Sequence, residues 1–167
     1  MIPAPIHQTP CLPRELVASP AFLLGRLGFT VKKRAMQEFE NAGCSGYDYS
    51  VLALLAERPP ETQATIADTL QLDRSQLVGL LDGLEERGLI ARRRDPSDRR
   101  RHTVTLTADG KRQLARLRSI VKRIEDDFLE PLDEASRQQL HELLLRVALH
   151  HDAGFAPPAE TLAASAT

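Results

Sequence analysis

Apolar residues recur along most of this chain with the period of a helix, and the period changes only once. Over 21–40, Phe22, Leu23, Leu27, Val31 and Phe39 return at roughly helical spacing with Lys32, Lys33 and Arg34 outside, and Asn41-Ala42-Gly43 stops the run. A second helix is predicted over 48–58, ending at Pro59-Pro60, and Thr62 caps a short third carrying Ile66, Ala67 and Leu70. Asp73 followed by Gln76 gives a capping-box-like start to a fourth helix, whose Leu77, Leu80, Leu81 and Leu84 fall at i, i+3, i+4 and i+7. Gly88 stands where a helix C-cap is expected. The pattern then shortens: 89–93 and 103–107 read as two strands joined by the turn residues Asp95-Pro96-Ser97-Asp98. Thr107-Ala108-Asp109 opens a long fifth helix with Leu114, Leu117, Val121, Ile124 and Phe128. After Pro131 a sixth carries Leu140, Leu143, Leu144 and Val147.

This order predicts a mainly α fold. A winged helix-turn-helix lobe spans 46–107, and a helical dimerisation lobe is built from 21–42 and 108–151, together one domain over 21–151. Five prolines (Pro3, Pro5, Pro10, Pro13 and Pro20) argue against regular helix over most of the 1–20 arm, and the Ala/Pro/Thr-rich 152–167 lacks core formers. Both ends are expected to be flexible tails. The first and last helices are amphipathic, yet they flank a lobe too small to bury them all. A homodimer is therefore expected, with a self-contained helical monomer as the alternative.

The formal net charge of -1 excludes a uniformly basic coat but not a local patch. Residues 92–101 hold six arginines against Asp95 and Asp98. A basic loop on a thin hairpin suits phosphates or a narrow minor groove, although such a run can equally be a solvated face. The fourth helix would leave Arg74, Ser75, Gln76, Val78, Gly79, Asp82 and Gly83 on its free side, where small and amide-bearing side chains can reach base edges. With Thr62 and Arg94, these make double-stranded DNA the expected partner. A winged helix used for protein contact is the rival, but it has no need of the arginine cluster.

Leu84-Glu85-Glu86-Arg87-Gly88-Leu89-Ile90, then Arg92, Pro96-Ser97-Asp98-Arg99-Arg100, Val104-Thr105-Leu106-Thr107 and Gly110 together resemble the signature of the MarR family of transcriptional regulators. The resemblance covers about residues 20–150. It implies a triangular homodimer with intertwined terminal helices, its two winged helices on a pseudo-palindromic operator, and a role as a ligand-responsive repressor. By the same resemblance Ser75 and Gln76 contact bases, Asp98 braces Arg100 in the minor groove, and Arg99 neighbours phosphate. Val78 and Gly79 depart from the polar or basic residues common there, which shifts discrimination toward Gln76, thymine-methyl contact by Val78 and DNA shape.

The resemblance also implies an effector: a small aromatic or phenolic ligand, an oxidant or a metal. Arg26, Phe29, Tyr47 and Tyr49 are the candidates for lining an aromatic-ligand crevice. A redox-sensing regulator acting through Cys11 or Cys44 is the alternative function. Cys44 stands where the family usually has Leu, as a buried structural residue would, and Cys11 lies some ten residues before the family's peroxide-sensing position. The five histidines show no ligand spacing, and adjacent His150 and His151 are expected to point apart, so no metal site or cofactor is expected. Without a Gly-rich phosphate loop, a G-x-S-x-G elbow or paired carboxylates in a pocket, an enzyme is not expected. No secretory leader and no apolar stretch of about 18 residues is visible, so the expected location is cytoplasmic, with no membrane partner.

Overall fold

The computed structural model describes residues 11–58, 61–94 and 102–156, in the order α1 (Arg14–Val17), α2 (Pro20–Asn41), α3 (Gly46–Glu57), β1 (Glu61–Thr62), α4 (Gln63–Leu70), α5 (Arg74–Glu86), β2 (Ile90–Arg94), β3 (His102–Leu106), α6 (Ala108–Phe128) and α7 (Glu134–His151), with a 3-10 turn at Ala153–Phe155. The fold is mainly helical with a small sheet, as the periodicity predicts. Among the described residues no helix is long and apolar enough to cross a membrane.

Side-chain caps explain where every helix after α1 begins. Pro20 stands at N1 of α2, where a missing N–H costs nothing, and Ser19 accepts from the Phe22 N–H at 3.3 Å. That proline therefore starts a helix that the sequence pattern assigned to a helix-free arm. The arm also contains the four-residue α1, which the sequence pattern did not predict. Helix α3 begins two residues before the predicted Asp48, because Ser45 and Asp48 form a reciprocal capping box: Ser45 N–H donates to Asp48 Oδ2 at 2.7 Å, and Asp48 N–H to Ser45 Oγ at 3.1 Å. Thr62, Asp73, Thr107 and Asp133 cap the later helices from one side only, as Ser19 does.

The sheet has three strands in the order β1-β3-β2, all antiparallel. The hairpin pairs Ile90 with Leu106 and Arg94 with His102, one residue off the predicted strands at each end. Strand β1 has two residues, too few to show alternation, and pairs Glu61 with Val104 and Thr62 with Thr103. It attaches the start of α4 to the hairpin.

One apolar cluster holds this lobe together. Val51, Leu52 and Leu55 of α3, Ile66 of α4, Leu81 and Leu84 of α5, Val104 of β3 and Leu117 of α6 are almost wholly buried. Burial stabilises the fold by roughly 1.5–3 kcal/mol per such side chain. The remaining helices behave differently. Helix α2 buries only Phe39, and α7 buries nothing. Leu23, Leu24, Leu27 and Phe29 on α2 and Leu143, Leu144, Val147 and Leu149 on α7 are exposed.

The hairpin is locked to α6 at its base. Gly88 ends α5 with φ +69°, the Thr107 hydroxyl donates to the Gly88 carbonyl at 2.6 Å, and the Thr107 N–H donates to the Leu89 carbonyl at 3.1 Å. Gly110, one turn into α6, packs against the same carbonyl, and a Cβ there would stand 1.9 Å from the Leu89 oxygen. Gly110→Ala is thus expected to cost about 2–3 kcal/mol through overpacking. A fall in Tm on the order of 5–10 °C in a thermal melt would follow.

Candidate nucleic-acid interface

The helix-turn-helix consists of α4, a three-residue turn and α5. Gln71 takes the left-handed conformation at φ 51°, reversing the chain, and the Leu72 N–H closes back onto the Ala67 carbonyl at 3.0 Å. Asp73 then fixes the start of α5 by accepting from the Gln76 N–H at 2.8 Å and from the Ser75 hydroxyl at 2.6 Å. The Ser75 hydroxyl, then the Gln76 N–H, hold the Asp73 carboxyl below its ordinary value. Leu77, Leu81 and Leu84 face the core with Leu80 half-buried, leaving Arg74, Ser75, Gln76, Val78 and Gly79 together on the open side. Thr62 is half-buried, accepts from the Thr65 N–H at 3.1 Å and shares a hydrogen bond with the Thr65 hydroxyl.

Two residues predicted for the open face lie elsewhere. Asp82 and Gly83 are half-buried. The Asp82 carboxylate is occupied by Arg92, 2.6 Å away. Arg92 also donates from Nε to Glu85 Oε2 at 2.7 Å, while its backbone N–H meets Glu85 Oε1 at 3.1 Å. This arginine of the basic hairpin is turned back onto α5 and is not free to meet a phosphate. The signal was present in the sequence: two acids three residues apart on a helix, with a strand arginine seven residues after the second.

Hydrogen bonding from Arg92 holds the Glu85 carboxyl below its ordinary 4.5, and Glu85 raises Arg92 in return. Arg93 and Arg94 remain exposed at the end of β2. Asp98, Arg99 and Arg100 lie outside the described residues.

The sequence reading also missed an ion pair between a buried carboxylate and Arg87 at the end of α5. Asp48, 5% exposed, is the one buried charged side chain among the described residues. Arg87 Nη2 lies 2.8 Å from its Oδ1. Arg87 further donates to the Gly43 carbonyl at 2.7 Å and to the Gly83 carbonyl at 2.9 Å. Cys44 is buried beside it, its Sγ accepting from Gln113 Nε2 at 3.2 Å, whereas Cys11 is exposed.

The four ligand candidates are dispersed. Phe29 lines a groove of about 390 Å³ along α2 with Lys32, Lys33, Met36, Gln37 and Glu40. Tyr49 packs on Phe39 with ring centroids 5.5 Å apart, Tyr47 is exposed, and Arg26 is an exposed residue whose carbonyl accepts from Thr30. His150 and His151 do not point apart as expected; their rings meet edge-on at 5.0 Å. Both residues are helical and their Cβ directions still diverge by about 100°, but side chains of this length can bring their rings back into contact. Among the described residues no three potential ligands cluster as a metal site.

Glu85 has a defined pH signature. A carboxyl lowered in the folded state adds stability that is fully present above 4.5 and is lost as pH falls through the lowered value. Tm is expected to fall in acid below that point, and Glu85→Gln to flatten this part of the profile, measured by melts from roughly pH 3 to 7.

Comparison with known proteins agrees with this geometry. The sequence profile of the MarR family matches residues 47–102. A putative transcriptional regulatory protein for the hcr operon of Thauera aromatica is 33% identical over 133 residues, 75% of this chain and 80% of that protein. The transcriptional repressor CouR, solved on a 23-mer DNA duplex, is 36% identical with a TM-score of 0.72, over 81% of this chain and 96% of that one. CouR from Rhodococcus jostii RHA1 bound to p-coumaroyl-CoA is 34% identical with a TM-score of 0.67, over the same shares.

Proposed function

Because this chain belongs to the MarR family of transcriptional regulators, we propose that it is a ligand-responsive repressor that binds a pseudo-palindromic operator as a homodimer. The observation that carries the reading is the open face of α5. It sits on a helix fixed by its own cap and by the Leu77, Leu81 and Leu84 stripe, directly before an arginine-rich hairpin. Gln76 offers an amide to adenine, Val78 an apolar surface, and Arg74 a cation near the helix start, where phosphate is favoured. Arg94 and Arg99 neighbour the backbone, and Arg100, braced by Asp98, enters the minor groove. Thr62, capping α4, holds the first helix of the pair against the duplex.

The dimer is supported by the exposed leucines of α2 and α7, which no described part of the chain covers. A second copy places the same stripes opposite each other around a two-fold axis, and such an axis sets two recognition helices at successive turns of duplex DNA. The effector is a small aromatic molecule or its thioester, in keeping with CouR and p-coumaroyl-CoA. Phe29 and its lysine-flanked groove, with Arg26, Tyr47 and Tyr49, are the residues of this chain assigned to it. Redox sensing through Cys44 has less support, because that thiol is buried and held by Gln113.

Two measurements test this reading. Duplexes selected from the source genome should bind with an affinity that drops about a thousandfold or more between roughly 50 and 200 mM salt, and Arg100→Ala should weaken binding and lower the salt slope by about one. Salt-insensitive binding, or binding indifferent to Arg100, overturns the DNA reading. Sedimentation should give a dimer for the wild type and a monomer when Leu144 and Val147 are both changed to Glu. A monomeric wild type overturns the dimer.

A further inference from the structure

Gly79 stands near the middle of α5, where a glycine weakens the helix, and nothing in the fold asks for it. Its φ is ordinary for a helix, since the positive-φ glycines are Gly43 and Gly88. A Cβ built on it meets no atom within 4 Å. Gly110 is the opposite case, its Cβ position already filled by the Leu89 carbonyl. The contrast separates a glycine required by the protein's own packing from one that is not.

Open space alone assigns no role, since Gly83 in the same helix and Gly25 and Gly28 in α2 also meet no atom; what sets Gly79 apart is that it weakens α5 at an exposed position on the helix's open side. Gly79 lies on the open side of α5 beside Val78, 46% exposed, and is the last exposed position before the half-buried and buried run from Leu80 to Glu85. Its neighbours one turn toward the helix start are Ser75 and Gln76. The Ser75 hydroxyl is engaged by Asp73, so of the polar side chains there Gln76 is the one left to reach far from the helix axis.

We propose that Gly79 is a clearance residue of the DNA interface: its missing side chain lets α5 seat deep in the major groove, bringing the short reach of Val78 and the amide of Gln76 onto base edges. The inference rests on α5 being the helix that enters the groove. It makes depth of seating, in place of added hydrogen bonds, the source of discrimination at this position. A side chain here separates helix and bases by about the width of a methyl group, enough to break hydrogen bonds whose tolerance is a few tenths of an ångström.

The test is a size series at one position, Gly79→Ala and Gly79→Leu, both better helix formers than glycine. Three quantities are measured on the full chain: Tm, affinity for a duplex selected by the wild-type protein from a random library, and affinity for mixed-sequence DNA. Tm should rise by a few degrees in both variants. Affinity for the selected duplex should fall about tenfold for Ala and further for Leu, about the loss of one base contact. Affinity for mixed-sequence DNA, which rests on phosphates, should change less than about twofold.

A Gly79→Ala variant that binds the selected duplex as tightly as wild type overturns the proposal. So does one whose Tm falls, since the glycine would then serve the fold. Equal losses on selected and mixed DNA would also overturn it, as the side chain would be acting on general attraction and not on seating. If the wild type selects no duplex at all, the DNA reading itself fails, an outcome distinct from the other three.

Discussion

The Arg87 guanidinium sits at the junction of three elements, and their mutual orientation depends on it. It closes the end of α5 through the Gly83 carbonyl, reaches the α2–α3 connection through the Gly43 carbonyl, and neutralises Asp48 inside the start of α3. Asp48 is committed on both oxygens, one to Arg87 and one to the Ser45 N–H that begins its own helix. Removing the arginine would strand a buried carboxylate, which is far more costly than losing a surface pair. Helix α5 is thereby fixed at its far end to the same short loop that terminates the long helix α2.

Packing elsewhere divides unevenly. The winged lobe has a filled core and capped helices, whereas α2 and α6 are joined at their outer ends by pairs such as Arg123 with Glu38 at 2.7 Å and Arg34 with Asp127. Exposed pairs of this kind each contribute less than about 1 kcal/mol. They orient two helices whose cohesion comes from the core, where Leu114, Leu117, Ile120 and Ile124 of α6 and Phe39 of α2 are buried, while Leu23, Leu24 and Leu27 nearer the start of α2 stay exposed. The -1 net charge arises within the winged lobe itself: residues 46–88 carry eight acids against Arg58, Arg74 and Arg87, and these acids offset the arginines of the hairpin that follows.

Periodicity made six of the helices and the two hairpin strands readable, and the reasons for its errors are specific. Capped starts at Thr62, Asp73 and Thr107 were legible because each cap precedes a clear apolar run. The start of α3 was missed because Gly46 and Tyr47 carry no apolar signal and the box is made by Ser45 and Asp48. Strand β1 escaped because two residues have no period. Within the site, the exposed face of α5 could be read from its leucines up to Gly79. Past that point Asp82 belonged to a pair with Arg92 whose geometry depends on β2 lying against the helix. Counting charges along the hairpin could not distinguish an arginine facing outward from one folded back.

The lock between Leu89, Thr107 and Gly110 has a mechanical meaning. It leaves no compliant segment between the base of the wing and α6, so the hairpin and that helix move as one lever. The 21 residues of α6 span about 31 Å. Rotating the far end of such a lever by about 5° carries the wing through roughly 3 Å, about the length of a hydrogen bond. A modest rearrangement where α6 meets α2 would therefore be delivered to the base of the hairpin undiminished, with no unfolding and no hinge required.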